Sequence, residues 1–229
     1  MLKKNDLLKI EKQAVKVAEE AGKVLLRYYR KNRLQVREKA KASLVTQADV
    51  NSEKLIQRRL QKLYPDFIFL GEEGGQGVGD AETTPMWHVD PLDGTTNFVH
   101  GFPMFCVSIG LAVGNQPVVG VIHIPTLGET FHGSRGNGAR LNGKPMRVSK
   151  RTDLSECLLT TGFAYIQDET KLFPEIERFK RVHLEARAVR RPGAAAIDLA
   201  YVAAGRFDGF WEMGLSPWDM AAGALLIQE

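Results

Sequence analysis

Cysteine is scarce in this chain, and long apolar runs are missing from it. Only two of the 229 residues are cysteines, Cys106 and Cys157, and both stand among apolar residues, as small core side chains do. Two isolated cysteines exclude a disulfide framework and a cysteine-ligated zinc site. No apolar stretch reaches the ~18 residues that a membrane-spanning helix needs, and the N-terminus lacks the apolar core of a secretory signal. We therefore expect a cytoplasmic protein with no membrane partner.

A large excess of one charge is also missing. Lys and Arg number 31 against 27 Asp and Glu, so the formal net charge is +4. Basic clusters at 27–33, 147–151 and 178–191 leave a nucleic-acid partner open, but acidic residues are interleaved almost everywhere. The favoured interpretation is a solvated surface with a mild attraction for anionic small molecules.

The hydrophobic pattern predicts an α+β or layered α/β fold. Apolar residues recur at helical spacing over 7–29, with Asp6 as the expected N-cap, and over 48–63. Two apolar runs, 105–113 and 117–124, flank turn residues and predict an antiparallel hairpin. We expect an N-terminal α+β part over 1–150 and a C-terminal α/β part over 151–229. In the second part the predicted strands are 157–161, 184–189 and 207–212, and the predicted helices are 170–180, 194–204 and 217–228.

The most informative segment is 87–98, which reads WHVDPLDGTTNF. Asp90 and Asp93 stand three residues apart at the end of a predicted buried strand, 86–89. Pro91 fixes φ, and Gly94 permits backbone shapes closed to other residues, so a rigid bend can aim both carboxylates into one space. Carboxylates held together repel unless a cation lies between them or one takes a proton. Hard oxygen ligands select Mg²⁺, Mn²⁺ or Ca²⁺ over zinc.

A capped turn is the competing interpretation of this segment, with Asp93 as an ordinary helix N-cap. Further acids shift the balance, because they stand at predicted element ends beside Gly, Pro or Thr: Asp49, Glu72, Glu73 and Asp219. Together these positions indicate one convergent site. The threonines after Gly94 can begin a helix whose free N–H groups suit a phosphate. The five histidines lack metal-ligand spacing and are expected to be structural.

These motifs, in this order, resemble those of the inositol monophosphatase family, within the Mg-dependent, lithium-sensitive phosphatase superfamily. The match extends from about residue 7 to 229. The matching segments are GEE at 71–73, DPLDGTTNF at 90–98, LVTQAD at 44–49, GAAA at 193–196, FWEMG at 210–214 and WDMAAG at 218–223. The family pattern has Asp where this chain has Ser43.

The resemblance implies a five-layer α-β-α-β-α sandwich of the inositol monophosphatase and fructose-1,6-bisphosphatase type, usually homodimeric. It implies two or three Mg²⁺ ions per site, for which Mn²⁺ can substitute. The implied metal ligands are Glu72, Asp90, Asp93, Asp219 and the Leu92 carbonyl. The implied catalytic residues are Glu72, Thr95 and Asp49, with Asp49 beside a further metal through water. The implied substrate contacts are Gly94, Thr95, Gly193, Ala195, Glu212 and Asp219.

The implied reaction is hydrolysis of inositol-1-phosphate to inositol and phosphate by a metal-activated water. The superfamily leaves fructose-1,6-bisphosphate, histidinol phosphate and 3′-phosphoadenosine nucleotides open as substrates. A role of another class is also open, because some bacterial members associate with the transcription machinery and RNA in antitermination, and 190–206 is similar to those members. Family members continue past the position of Glu229, so we expect this chain to be truncated at its C-terminal end.

Overall fold

A computed structural model describes residues 2–29, 36–40, 43–77, 82–163 and 168–229. The helices are α1 (Lys4–Tyr28), α2 (Gln47–Leu63), α3 (Thr95–Val99), α4 (Glu169–Glu185), α5 (Ala195–Ala203) and α6 (Pro217–Gln228), with a 3₁₀ turn at Leu154–Glu156. The strands are β1 (Val36–Ala40), β2 (Ser43–Thr46), β3 (Ile68–Gly71), β4 (Gly75–Gln76), β5 (Met86–Asp93), β6 (Cys106–Val113), β7 (Gln116–Ile124), β8 (Glu129–Ser134), β9 (Ala139–Leu141), β10 (Lys144–Pro145), β11 (Leu158–Thr161), β12 (Ala188–Arg190) and β13 (Gly209–Trp211).

Two of the three described sheets alternate with helical layers, which confirms the predicted five-layer sandwich. The third sheet is the antiparallel pair of β1 and β2. The large sheet has the order β10-β9-β8-β7-β6-β5-β3-β4 and is antiparallel except for the β3–β5 pair. Helices α1 and α2 cover one of its faces, and α6 lies on the other with α5 against it. Helix α5 contacts β11 and β13 of the small parallel sheet, β12-β11-β13. On α4, the Phe179 ring lies 5.9 Å from that of Phe163, two residues past β11. Among the described helices, none combines the length and apolar character that crossing a membrane requires.

Most predicted elements are confirmed, and three details are corrected. The residue before α1 is Lys3, and Asp6 instead accepts a hydrogen bond from the Lys3 N–H at 3.3 Å, so Asp6 lies inside the first turn. Helix α4 runs five residues past its predicted end, because Phe179 and His183 stack one turn apart at 5.6 Å and extend its side-chain pairing. Strand β12 is correspondingly short. Arg30 and Arg33 of the basic cluster at 27–33 lie outside the described residues.

Strand β5 is the third correction, because it continues through both aspartates instead of ending before Asp90. Its pairing with β6 joins Asp90 to Ser108 and Asp93 to Cys106, so β5 carries one extra residue between those pairs. This is a β-bulge, which bends a strand and re-aims its side chains. Pro91 fits there because a bulge does not need the N–H that proline lacks.

Helix α6 packs against two paired glycines of the large sheet. Gly110 and Gly120 face each other across β6 and β7. A Cβ on Gly110 would lie 2.7 Å from the Ala221 Cβ, and one on Gly120 would lie 3.0 Å from the Ala222 Cα. The helix backbone therefore rests almost directly on the sheet. This close approach places the first turn of α6, with Asp219, beside the end of β5.

We predict that Gly120→Ala lowers the unfolding free energy by about 1–3 kcal/mol, because the added methyl would press on helix backbone that cannot rotate away. Urea denaturation followed by circular dichroism measures the change. Gly77→Ala is the matched control, since its Cβ would meet only an ordinary contact, 3.5 Å from the Phe69 N, and it should change stability by less than about 0.5 kcal/mol. Equal stability of the two variants would contradict the close packing.

Candidate active site

A cavity of about 270 Å³ opens where β3 and β5 end and α3, α5 and α6 begin. Five carboxylic acids line it: Glu72, Asp90, Asp93, Glu212 and Asp219. Among the described lining residues, Arg191 is the basic side chain. Other lining residues are Leu92, Gly94, Thr95, Gly162, Phe163, Gly193, Ala195 and Ser216. The cavity therefore concentrates negative charge far beyond what its own side chains neutralise.

The bulge in β5 aims Asp90 and Asp93 into this cavity. Asp90 is 3 % exposed, and its Oδ1 accepts a hydrogen bond from the Leu92 N–H at 2.9 Å. The Ser52 hydroxyl donates to the Pro91 carbonyl at 3.0 Å, which ties the bend to α2. The predicted bend and the convergence of the two carboxylates are thus both present in the structure.

Asp93 caps a helix, but not the one that follows it in sequence. The residue before α3 is Gly94, whose φ of +88° only glycine adopts readily, and a Cβ there would lie 2.8 Å from the Met104 carbonyl. Asp93 Oδ2 instead accepts the Ala196 N–H of α5 at 2.7 Å. The interpretation of Asp93 as an ordinary N-cap of the next helix is therefore wrong, because its carboxylate joins the two halves of the chain.

Two further acids are placed by the local chemistry of helix starts. Asp49 is the third residue of α2, and its Oδ2 accepts from the Thr46 N–H at 2.9 Å. Asp219 is the third residue of α6, and its Oδ2 accepts from the Ser216 N–H at 2.7 Å. Each capping box fixes one carboxylate oxygen and thereby the direction of the other.

Thr95 links the cavity to Asp49, which does not itself line it. The Thr95 hydroxyl lies 3.1 Å from Asp49 Oδ1 and 3.0 Å from the Leu92 carbonyl oxygen. A hydroxyl has one proton, so it donates to one of these acceptors at a time. Asp49 is 1 % exposed, and burial raises its pKa above the usual value.

Two residues that position the site were not foreseen. The Asn97 amide donates to the Met104 carbonyl at 2.7 Å and to the Pro192 carbonyl at 2.9 Å, which holds the segment before Gly193. Buried Glu53 on α2 accepts a hydrogen bond from the Glu73 N–H at 2.9 Å. This bond holds the acidic turn after β3 against α2. In the sequence, Glu53 could have been found as an acid one helical turn after Asp49, and Asn97 as the amide that follows Gly94-Thr95-Thr96.

Burial, together with neighbouring negative charges, raises the pKa values of four lining acids: Asp90, Asp93, Glu212 and Asp219. Burial, followed by the charge of Asp219, raises the pKa of Asp93 to about 8. Burial likewise raises the pKa of Glu212 to about 7 and that of Asp219 to about 6. The pKa of Asp90 rises well above its usual range, through burial and then the charge of Glu72.

These residues fit a hard divalent cation. Buried carboxylates that share a cavity need a positive charge or protons between them, and the Leu92 carbonyl and Thr95 hydroxyl add the neutral oxygens that such cations accept. Within the described ranges, no three His, Cys, Asp or Glu side chains are drawn together as a closed ligand group. The acids therefore surround the cavity instead of meeting at one point. None of the five histidines lines it.

Comparison with known proteins decides the family, since the model described as "Inositol monophosphatase family" matches residues 6–229. The chain belongs to the inositol monophosphatase family. It is 45 % identical over 219 residues to "Nus factor SuhB" of Pseudomonas aeruginosa, covering 94 % of this chain and 81 % of the relative. It is 41 % identical over 219 residues to "Inositol monophosphatase 1" of Solanum lycopersicum, covering 94 % of this chain and 80 % of the relative.

Among solved structures, the extragenic suppressor protein suhB of Bartonella henselae superposes with a TM-score of 0.90 at 44 % identity, covering 96 % of this chain and 84 % of that one. As an inositol monophosphatase family member, the chain is a phosphoric monoester hydrolase whose catalysis is metal-dependent. The expected resemblance and enzyme class are thereby confirmed.

The structure brings nearly all of the residues implied by the resemblance to the cavity. Asp49 is the exception, because it reaches the cavity only through Thr95. Sequence reasoning missed three lining positions after β11 and β12: Gly162, Phe163 and Arg191. The Arg191 guanidinium lies over the Phe163 ring, 5.5 Å from its centroid, and no motif in the sequence marks this pair.

The raised pKa of Asp93 sets the direction of a pH effect on stability. An acid whose folded pKa exceeds its unfolded value of about 4 favours the folded state below pH ~4, and this contribution is lost as pH rises toward 8. In metal-free protein we predict that Asp93→Asn gains more than about 1 kcal/mol of unfolding free energy over the parent at pH 8, and little near pH 4. Urea denaturation across this range measures both, with Asp66→Asn, an exposed change, as the control. Parallel pH profiles for the parent and Asp93→Asn would contradict the assignment.

Proposed function

We propose that the chain hydrolyses inositol-1-phosphate to inositol and phosphate with Mg²⁺ as its metal. The observation that carries this proposal is one cavity in which Glu72 after β3 and the acids of β5 and α6 face Gly193, Ala195 and Glu212. The first set supplies oxygen ligands for a cation, and the second supplies polar groups for a polyol. A phosphate ester bound between them would place its two halves against these two sets.

The proposed metal ligands are the acids on the large-sheet side, with the Leu92 carbonyl: Glu72, Asp90, Asp93 and Asp219. When bound there, Mg²⁺ supplies Lewis-acid stabilisation of the phosphoryl oxygens and lowers the pKa of water. The protein's own contribution is positioning, because the Asp90, Asp93 and Asp219 carboxylates are each fixed by a backbone N–H bond of 2.7–2.9 Å.

The phosphate would lie against the start of α3. The Gly94 and Thr95 amides are proposed as fixed donors to phosphoryl oxygens, where preorganised N–H groups stabilise developing charge. A side chain at residue 94 would collide with the Met104 carbonyl, so Gly94 keeps this backbone exposed. The proton of the attacking water has an acceptor in Thr95 Oγ1, which can pass its own proton to Asp49 Oδ1, 3.1 Å away. Glu72 is proposed to hold that water in line.

The inositol ring would contact the other side of the cavity. The Glu212 carboxylate accepts hydrogen bonds from hydroxyl groups, and Gly193 and Ala195 offer backbone atoms. Another sugar or nucleotide phosphate would use the same acids, so the wall that contains Glu212 decides the substrate.

A homodimer, a cytoplasmic location and the division at residue 150 stay predictions.

We predict that Asp93→Asn lowers Mg²⁺-dependent phosphate release from inositol-1-phosphate by at least roughly a hundredfold, because it removes the charge of a proposed metal ligand. Each factor of ten corresponds to about 1.4 kcal/mol of lost transition-state stabilisation. Phosphate release is measured with and without Mg²⁺, and with added Li⁺, which should inhibit the parent enzyme. Asp66→Asn, with the same charge change on the exposed surface, should keep parental activity. Full activity of Asp93→Asn would contradict the assignment of Asp93 as a metal ligand.

Binding to the transcription machinery or RNA is a second candidate function. Its support is the similarity to two proteins named "Nus factor SuhB", at 45 % and 43 % identity. The surface proposed for such a partner is the open groove beside the loop 147–151, whose basic residues are Arg147, Lys150 and Arg151.

For this second function we predict that the Asp93→Asn protein still captures purified RNA polymerase or antitermination factors, since binding would not need turnover. Pull-down with the purified components compares Asp93→Asn with a variant carrying Arg147→Ala and Lys150→Ala together, which should lose roughly tenfold in affinity if the groove binds. Failure of the parent protein to retain either component would remove this candidate.

A further inference from the structure

Gly162 and Glu212 are neighbours at the open end of the small sheet. Strands β11 and β13 run parallel, and their last registered pair is Thr161 with Trp211. The Thr161 hydroxyl donates to the Trp211 carbonyl at 2.7 Å, which locks this register. Gly162 and Glu212 are therefore the next residues on each strand, and both line the cavity.

The space above Gly162 is filled by the Glu212 carboxyl group. A Cβ on residue 162 would overlap the Cδ and both oxygens of Glu212. Gly162 is not among the glycines with positive φ, so its backbone conformation is open to other residues. The requirement for glycine is thus set by the side chain of Glu212 and not by the turn of the chain.

The position of Glu212 depends on this missing side chain. Its carboxylate lies across the end of β11, and the lining cation Arg191 is close enough to lower the Glu212 pKa against the effect of burial. Because the carboxylate is the far end of a flexible side chain, a methyl group at residue 162 would displace it without opening the backbone. The displaced carboxylate would leave the place from which it faces the cavity.

We infer that Gly162 is a specificity-determining residue. Because it has no side chain, Glu212 can lie where its carboxylate accepts hydrogen bonds from the hydroxyl groups of a polyol phosphate. This inference rests on the proposed function for the role of Glu212. It predicts that position 162 tunes discrimination between phosphate esters of polyols and phosphate esters whose alcohol carries no hydroxyl groups. Gly162 acts through Glu212 and is therefore a positioning residue.

The experiment is a double-mutant cycle of Gly162→Ala and Glu212→Ala, assayed with inositol-1-phosphate and with p-nitrophenyl phosphate. Gly162→Ala should lower kcat/KM for inositol-1-phosphate roughly tenfold or more, as loss of a hydrogen bond to a charged group does, mainly through KM. Its kcat/KM for p-nitrophenyl phosphate should stay within about twofold. In the Glu212→Ala background the same methyl should change neither substrate by more than about twofold, because its collision partner is gone.

Gly209→Ala is the matched control, since it adds a methyl to the same sheet against a flexible neighbour, 3.2 Å from Leu159 Cδ2 and outside the cavity. It should keep parental kinetics. A crystal structure of Gly162→Ala should show the Glu212 carboxylate moved from β11. Additive losses in the cycle, or an unmoved Glu212, would overturn the inference.

The two proposals fail differently in this cycle. If Glu212→Ala lowers kcat/KM for inositol-1-phosphate and Gly162→Ala does not, the inference about Gly162 alone is wrong. If Glu212→Ala itself leaves inositol-1-phosphate hydrolysis unchanged, the proposed polyol contact is wrong, and the inference falls with it.

Discussion

The repulsion among buried carboxylates is the constraint on which the site depends. Among the described residues, five acids and one arginine line the cavity, and burial is the largest cause of the raised pKa values of Asp93, Glu212 and Asp219. Such an arrangement costs stability unless each carboxylate has a donor. The donors here are backbone N–H groups: Leu92 for Asp90, Ala196 for Asp93 and Ser216 for Asp219. The fold thus holds the acids in place while leaving the charge for a cation to neutralise.

Backbone packed close to backbone is what delivers those donors. Helix α6 approaches the large sheet over Gly110 and Gly120, and only this approach brings Asp219 beside the end of β5. Helix α5 also begins beside the end of β5, where its Ala196 N–H donates a hydrogen bond to Asp93. Small residues therefore serve the chemistry indirectly, since larger ones would separate the elements that carry the acids.

The sequence predicted what is local and missed what is distant. The bend at Asp90 and Asp93, the helix that begins at 217 and the hairpin of β6 and β7 follow from turn chemistry and periodicity within about ten residues. The bond from Asp93 to Ala196 spans 103 positions, and no local signal marks it. The buried link from Glu11 on α1 to the Ser134 hydroxyl on β8 was unforeseen for the same reason. Gly162 carried no signal either, because its reason is the side chain of a residue on another strand.

The two walls of the cavity come from different sheets, and this division bears on how the family varies. The acids proposed as metal ligands stand on the large sheet and on α6, which packs against it, whereas Glu212 and Gly162 follow strands of the small sheet. Changes at the ends of β11 and β13 can therefore reshape the wall proposed to contact the substrate without moving Asp90 or Asp93. The acids can then be shared by relatives that differ in substrate. A substitution at residue 162 acts on the second wall alone, because its added atoms meet Glu212 and not the acids of β5.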